Sequence, residues 1–549
     1  MKRFWAVVSR KQTTVSSAAI VLAVMVLMSR VLGLVRDRLL SAYFIPEELG
    51  VYFAAFRIPN VIFELLVMGA LTSAFIPVYT KYIAQNRGQD AERLARVLIN
   101  LSLLILALVA VPLFVGAPYI SHVLAPGFND AEIAQMSAYT RFILLFQVAP
   151  LLVGNVFTGI LQSHSLFLIP AAAPVLYNVG IIIGTVALSS LWGLWGPVVG
   201  VAIGAVLFAA VQIPLILRLG YRHNLEANPR LAGVREVGRL MGPRTVGLAV
   251  SQIDITVDLM LASLLGARMV TIFNFAQHLQ QLPVGLFGTT IAQAALPQLS
   301  QLSKKNRGEF IATLQMAIHQ ILLWVLPASV LFIVLRIPMV RLVFGASRFD
   351  WAATVDTGAT LSAFSLSLFA QSLIHILARG FYALYDSKTP VTIGIVTVLL
   401  NSILSALFIL VFHLPVWSLG LSTSIASILN AMSLLYVLER KLKGVVSPSL
   451  VVPAIKMGVA ALVTGVALYI PLKLLDQLVF DTTRTFGLML LTGVSAGAGI
   501  ITYFFLSWVL GVAQVYPVLR LPYRLRVLRG FFLEPAQEVV NGGVSDKLS

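Results

Sequence analysis

Met28-Ser29-Arg30-Val31-Leu32-Gly33-Leu34-Val35-Arg36-Asp37-Arg38 lies inside an apolar run that begins near Thr14 and continues through Ala42-Tyr43-Phe44. A bilayer crossing takes about 20 apolar residues, and backbone groups in hydrocarbon must bond within their own segment, so this run reads as a helix. Ser29 and Arg36 are seven apart and share a face, as do Arg30 and Asp37. Charges within a span are costly and face a cavity or a partner. One reading is a cationic patch in a cavity, its guanidinium forks suited to phosphate. The other is a span that ends near Leu34, its arginines reaching back to the interface. The apolar residues after Asp37 favour the cavity.

The rest of the chain repeats the pattern. Of 549 residues, 58% are hydrophobic and 11% charged, and the mean hydropathy is +0.92. A soluble domain carries roughly 25% charged residues. Apolar runs fall at 14–43, 48–80, 93–119, 136–162, 165–190, 195–218, 245–266, 269–302, 310–336, 352–384, 389–412, 418–438, 451–473 and 485–511. They predict an all-α polytopic membrane protein of about fourteen transmembrane helices. The absence of cysteine excludes a disulfide framework. The first run extends past a signal-peptide h-region and lacks an A-x-A site, so no cleaved leader is expected.

Net charge is +17, from 39 Lys+Arg against 22 Asp+Glu. In a soluble chain this would suggest nucleic acid; here the basic residues gather in alternate short loops, as the positive-inside rule requires. Lys2, Arg3, Arg10 and Lys11 precede the first span, and Arg87, Arg93 and Arg96 follow the second. Arg222, Arg230, Arg235 and Arg239 lie between the sixth and seventh; Lys304, Lys305 and Arg307 follow the eighth. Arg440, Lys441 and Lys443 follow the twelfth, and a basic tail runs from Arg520 to Arg529. The other side carries Asp130, Glu132, Asp476 and Asp481. An even span count with both termini cytoplasmic accounts for all of them. The chain divides into an N-terminal lobe (1–218), a basic linker (219–244), a C-terminal lobe (245–443) and a last pair of spans with the tail (444–549). The linker is a plain connector or an interfacial amphipathic helix.

Other spans also carry polar groups. The second holds Arg57 and Glu64, seven apart, a cavity pair or a structural ion pair, with Pro59 expected to bend it. The seventh holds Asp254 and Asp258, one turn apart, which suggests a cation or proton site. Asn401, Ser405 and Thr423 offer further oxygens, or bond between helices as such residues ordinarily do. His278 is a lone histidine of the eighth span. No transition-metal signature, P-loop or nucleophile elbow is present, so a driving force would come from an ion gradient or membrane potential.

These residues carry a family resemblance. Ser29-Arg30-Val31-Leu32-Gly33-Leu34-Val35-Arg36-Asp37 resembles the first-helix signature of the MurJ/MviN family, the lipid II flippases of the multidrug/oligosaccharidyl-lipid/polysaccharide exporter superfamily. Phe56-Arg57-Ile58-Pro59-Asn60, Gly69-Ala70, Ser73-Ala74-Phe75-Ile76-Pro77 and Ala125-Pro126-Gly127-Phe128 are similar to the next segments. So are Ile169-Pro170, Pro174 and Asn178; Gly242-Pro243, Ser251-Gln252-Ile253, Asp258 and Ala262-Ser263; and Leu282-Pro283, Gly285 and Leu296-Pro297. Arg379-Gly380-Phe381-Tyr382 and Asp386-Ser387-Lys388-Thr389-Pro390 complete the series, in order over residues 29–430. The resemblance implies two six-helix lobes around a central cavity and two C-terminal helices forming an apolar groove.

The implied cargo is an undecaprenyl-pyrophosphate-linked peptidoglycan precursor, lipid II, flipped to the outer leaflet of the bacterial cytoplasmic membrane by alternating access. The implied form is a monomer among membrane lipids, acting without covalent chemistry and without nucleic acid. Ser29, Arg30, Arg36 and Asp37 carry over as cavity residues, joined in this chain by Arg57, Glu64 and His278. Asp258, Asn401, Ser405 and Thr423 look equivalent to a sodium site of some members, so sodium or proton coupling is the expectation. The chain departs from the family pattern at Phe63 and Glu64, where a pair of arginines is usual, at Gly50 and Met68 for acids, at His278 for an arginine, and at Ser405 for a carboxylate. The competing reading is an exporter of the same superfamily for drugs or other lipid-linked oligosaccharides, driven by a cation gradient and relying on Asp254, Asp258 and Glu64. A non-transporting membrane scaffold is a third.

Overall fold

The computed structural model describes residues 15–68, 74–302, 306–345, 347–478 and 485–519. Lys2, Arg3, Arg10, Lys11, Gly69, Ala70, Ser73, Lys304, Lys305, Asp481 and the tail from Arg520 lie outside them. Among the described residues every long apolar run is a helix and no strand occurs. We number the long helices α1 (Val15–Tyr43), α2 (Pro46–Val67), α3 (Gly88–Val115), α4 (Asp130–Ser163), α5 (Leu168–Trp192), α6 (Trp195–Arg218), α7 (Ala232–Leu264) and α8 (267–302). The remainder are α9 (Arg307–Val334), α10 (Trp351–Ser365 with Leu368–Ala383, bent by 43°), α11 (Lys388–Val411), α12 (Trp417–Leu442), α13 (Pro448–Leu478) and α14 (Thr485–Val509).

Eleven of these have the length and hydropathy of a crossing, or twelve with α10 counted as one bent span. The other two, α1 and α8, are as long but carry the chain's most polar interior faces: Arg30, Arg36, Asp37 and Arg38 on one, Asn274, Gln277, His278, Gln280 and Gln281 on the other. The most exposed apolar side chains include Leu108, Val115, Val466, Leu462 and Ile501, on α3, α13 and α14. Hydrocarbon is the solvent that suits such a surface.

Local chemistry explains several details. The acid-tinged residues before the fourth span form a capping box: Glu132 N donates to Asn129 Oδ1 at 2.9 Å, and Asn129 N donates to Glu132 Oε2 at 2.9 Å. In α2, Pro59 cannot donate to Ala55 and its ring crowds that carbonyl, so the helix breaks between Ala55 and Arg57. A π-helical turn follows at Glu64–Met68. Between α5 and α6, Gly180 and Gly184 face Gly196, Gly200 and Gly204 so closely that a Cβ on any of them would overlap the opposing backbone. This small-residue spacing lets helix backbones meet where water provides no drive for association. Helices α13 and α14 pack together and against α9, where Trp324 lies between Phe287 of α8, stacked at 5.5 Å, and Phe504 of α14.

The linker differs from the expected 219–244 segment. Residues 232–244 are the opening turns of α7, which runs unbroken from Ala232 to Leu264. Residues 232–244 are therefore helical but continuous with the seventh span rather than a separate helix. The stretch that remains is non-helical and is held on α3: Arg93 pairs with Glu226, Arg96 Nη1 donates to Arg222 O at 3.1 Å, and Asn100 Nδ2 donates to the carbonyls of Asn224 (2.8 Å) and Glu226 (2.7 Å). The α3 arginines meet a carboxylate and a backbone carbonyl of this stretch, which ties the linker to the N-terminal lobe.

Candidate substrate cavity

A cavity of about 940 Å³ opens between the lobes, with a side pocket of about 230 Å³ against α1. Ser29, Arg30, Arg36, Arg57, Glu64 and His278 line the first, and Asp37 joins Ser29, Arg30, Arg36 and His278 at the second. All seven residues expected in the cavity are thus brought to it. Helix α1 continues past Leu34 to Tyr43, Asp37 is 1% exposed, and Arg30 and Arg36 line the cavity.

Arg36 is fixed from two sides. Its Nε and Nη2 donate to Asp37 Oδ1 at 2.9 and 2.7 Å, and Nη1 donates to Asn178 Oδ1 at 3.1 Å. Asn178 in turn donates to Ser29 O, Ser29 Oγ and Pro174 O at 3.2–3.3 Å. His278 Nδ1 meets the other carboxylate oxygen of Asp37 at 2.9 Å. A carboxylate can only accept, so Nδ1 carries the proton and Nε2 is left for a ligand. Arg30 differs: its guanidinium lies over Gly285 of α8, whose Cβ would touch Arg30 Cζ at 2.8 Å. Among the described residues it has no hydrogen bond or ion pair. A guanidinium held in a cavity without an acceptor is a site for an anion.

Arg57 and Glu64 do not pair. Seven residues put them about 10 Å apart along a helix. Arg57 instead crosses to α7, its Nη2 donating to Gln252 O (2.7 Å) and Oε1 (2.6 Å) and its Nε to Thr256 Oγ1 (2.9 Å). It joins the lobes through neutral acceptors. Glu64 lines the cavity.

One end of the cavity is shut. Gly50 of α2 and Gly127 abut the backbones of Ala267 and Ser263, with no room for a Cβ at either. Thr271 Oγ1 donates to Pro46 O at 2.6 Å, and Arg268 pairs with Glu47 (3.0 Å) and with Asp350. The Arg268 hydrogen bond, then the Ala353 amide, hold the Asp350 carboxyl below its usual range despite its partial burial. At the same end Arg38 Nη1 donates to Leu342 O at 2.6 Å and Ser41 Oγ to Phe344 O at 2.8 Å.

The second expected cluster forms in part. Asn401 Nδ2 donates to Asp254 Oδ1 at 2.9 Å, and Ser405 Oγ contacts Asp258 Oδ1 at 3.5 Å. Ser405 also bonds Ser422 Oγ at 2.6 Å. Thr423 donates to Leu419 O of its own helix at 2.9 Å, so Ser422, its neighbour, makes the cross-helix contact expected of it. Asn401 Oδ1 is buried with no donor. Carboxylate and amide oxygens with one unspent acceptor fit a small hard cation or a proton. Among the described residues no three His, Asp or Glu side chains are grouped to hold a metal ion.

A family model described as lipid II flippase MurJ matches residues 40–486. The chain belongs to the MurJ family. A lipid II flippase MurJ of Burkholderia cenocepacia is 29% identical over 77% of this chain and 83% of its own length. A probable lipid II flippase MurJ of Vibrio cholerae is 30% identical over 76% and 82%, and one of Bdellovibrio bacteriovorus 28% over 92% and 97%. A solved MurJ in an inward closed conformation shares the fold, with a TM-score of 0.74 and 24% identity over 89% of this chain and 98% of that one. An inward-facing multidrug resistance MATE-family transporter of the MOP superfamily aligns with a TM-score of 0.64 at 15% identity, over 78% of this chain and 98% of that one.

Against the MurJ pattern, two departures now have a physical reason. The acid position of α2 is Gly50, and the Ala267 carbonyl occupies the space a side chain would need. His278 stands where the resemblance expects an arginine, and its Nδ1 contacts Asp37 Oδ2 at 2.9 Å. Three residues of the site were not singled out as functional from sequence: Asn178, Gln252 and Ser422. Asn178 is a lone amide in an apolar run, a signal that could have found it, whereas Gln252 lies among Ser251, Asp254 and Thr256 and does not stand out. Ser422 carries no signal that separates it from Thr423, because one residue of helix rotation decides which of them faces α11.

Proposed function

We propose that this chain flips lipid II, the undecaprenyl-pyrophosphate-linked peptidoglycan precursor, from the inner to the outer leaflet of the bacterial cytoplasmic membrane. The observation that carries the reading is Arg30, a guanidinium without an acceptor among the described residues, beside the braced Arg36–Asp37–His278 group in a cavity between two lobes. Two adjacent guanidiniums match the forked oxygens of a pyrophosphate. The polyprenyl tail would stay in lipid along the apolar faces of α13 and α14. The protein needs no covalent step, only cargo affinity that differs between two access states. It works as a monomer among membrane lipids, with both termini cytoplasmic. Its cation site comprises Asp258, Asn401 Oδ1 and Ser405, with Asp254 close by. A bound sodium ion or proton there would neutralise buried carboxylates between α7 and α11 and bias how those helices pack.

The test is Arg36→Ala and Arg30→Ala in a flippase-depleted strain, with membrane levels checked. Loss of complementation is expected from each. A well-expressed Arg36→Ala protein that restores growth overturns the reading. The rival, a cation-driven exporter of drugs or other lipid-linked oligosaccharides, draws on Asp254, Asp258 and Glu64; efflux that persists without the arginines would establish it.

A further inference from the structure

The cavity wall holds more hydrogen-bonding groups than a pyrophosphate can use. Eight carboxamides line it, and five of them stand apart: Asn60 on α2, Gln162 on α4, and Asn274, Gln277 and Gln281 on α8. None of the five makes a hydrogen bond within the protein among the described residues, and none is fully buried. This is unlike their neighbours. Asn155 is spent on Leu151 O (2.8 Å), Thr158 on Gln212 Oε1 (3.1 Å) and Gln147 Nε2 on Tyr177 Oη (3.0 Å). The five therefore present unused N–H donors and carbonyl acceptors to whatever fills the cavity. Polar groups in a span that serve no internal contact serve a pathway or a ligand.

Their placement is ordered. Asn274, Gln277 and Gln281 fall at i, i+3 and i+7 and share one face of α8 with His278. Gln281 borders the side pocket that holds Arg30, Arg36 and Asp37. From there the stripe climbs about 10 Å of helix to Asn274. Asn60 and Gln162 belong to the other lobe. An amide is uncharged and both gives and accepts, so it matches sugar hydroxyls, N-acetyl groups and peptide bonds.

We propose that these amides are a second subsite, which reads the uncharged sugar and peptide portion of the head group while the α1 arginines hold the pyrophosphate. The stripe then sets cargo selectivity, and the arginines set affinity for any polyprenyl pyrophosphate. This rests on the function proposed above.

The test uses full-length protein in nanodiscs, with two ligands measured by native mass spectrometry: undecaprenyl pyrophosphate, which has no sugar, and intact lipid II. The wild type is expected to bind lipid II roughly tenfold or more tightly, since a few sugar and peptide hydrogen bonds suffice for that. In Asn274→Leu/Gln277→Met/Gln281→Met that preference collapses while undecaprenyl pyrophosphate binding is unchanged. Arg36→Ala weakens both ligands. A wild-type preference near unity overturns the subsite without any variant. So does a triple variant that loses both ligands equally, or neither. If the wild type binds neither ligand, the lipid II reading itself fails.

Discussion

Gly50→Ala tests how the cavity is shut. A Cβ built at Gly50 lies 2.5 Å from the Ala267 carbonyl carbon and 3.0 Å from its Cα. At Gly127 the same atom lies 2.6 Å from Leu264 Cα and 2.7 Å from Ser263 C. Carbon atoms are at ease near 3.5–4.0 Å, so each substitution forces the lobes apart by about 1 Å. The obstructing atoms are backbone and cannot swing aside. Overpacking of this kind costs about 1–3 kcal/mol. All of it falls on the closed arrangement, because the contact exists only there. The closed-to-open ratio should drop by roughly 5- to 150-fold. The chain has no cysteine, so Gln135→Cys and Ala352→Cys, both exposed and on opposite lobes at this end, can carry spin labels without background. Pulsed electron resonance on the Gly50→Ala protein should show a long-distance population that the parent lacks. A distance distribution that superimposes on the parent's would refute the claim that this backbone contact is what shuts the end.

Other outcomes follow from the same geometry. Gln252→Ala with Thr256→Val removes the two side-chain acceptors of Arg57 and leaves only the Gln252 carbonyl; the labelled pair should shift toward separation, whereas a pure ligand role for Arg57 would leave it unmoved. Arg30→Lys keeps the charge but loses the fork, so flipping should fall several-fold in a vesicle assay while Arg30→Ala abolishes it; equal activity of the two would mean that only charge matters. Asp350 anchors Arg268, the residue that reaches Glu47 across the lobes, and its depressed carboxyl pKa keeps that anchor present above the ordinary carboxylate value, about 3.9, and loses it as pH falls through the lower folded value. The labelled end should therefore loosen only in strong acid, and loosening near neutrality would assign closure to another group. Ser405→Asp places a carboxylate beside Asp258 and should raise sodium affinity by calorimetry; unchanged affinity would place any coupling ion elsewhere.

The all-α membrane fold was legible in the sequence because hydrocarbon leaves the backbone one choice. A long apolar run must be a helix, and a charge within it must find a cavity or a partner. That reasoning marked Arg30, Arg36 and Asp37 from one stretch of α1, and Asp258 from α7. It also placed the bend at Pro59, since the missing N–H acts locally. Spacing along one helix, however, says which residues share a face and not what lies opposite. Arg57 and Glu64 share a face, yet Arg57 bonds Gln252 and Thr256 because α7 passes there. Ser422 takes the place expected of Thr423 through a rotation that hydropathy does not register. The opening turns of α7 read as a linker because Arg235 and Arg239 resemble loop charges, although helix continuity beyond the bilayer costs such residues nothing. The sequence alone therefore determined that the chain crosses a membrane with arginines inside. Only the tertiary structure decided that Arg36 is braced while Arg30 is free, since that depends on Asn178 and His278 arriving from two other helices.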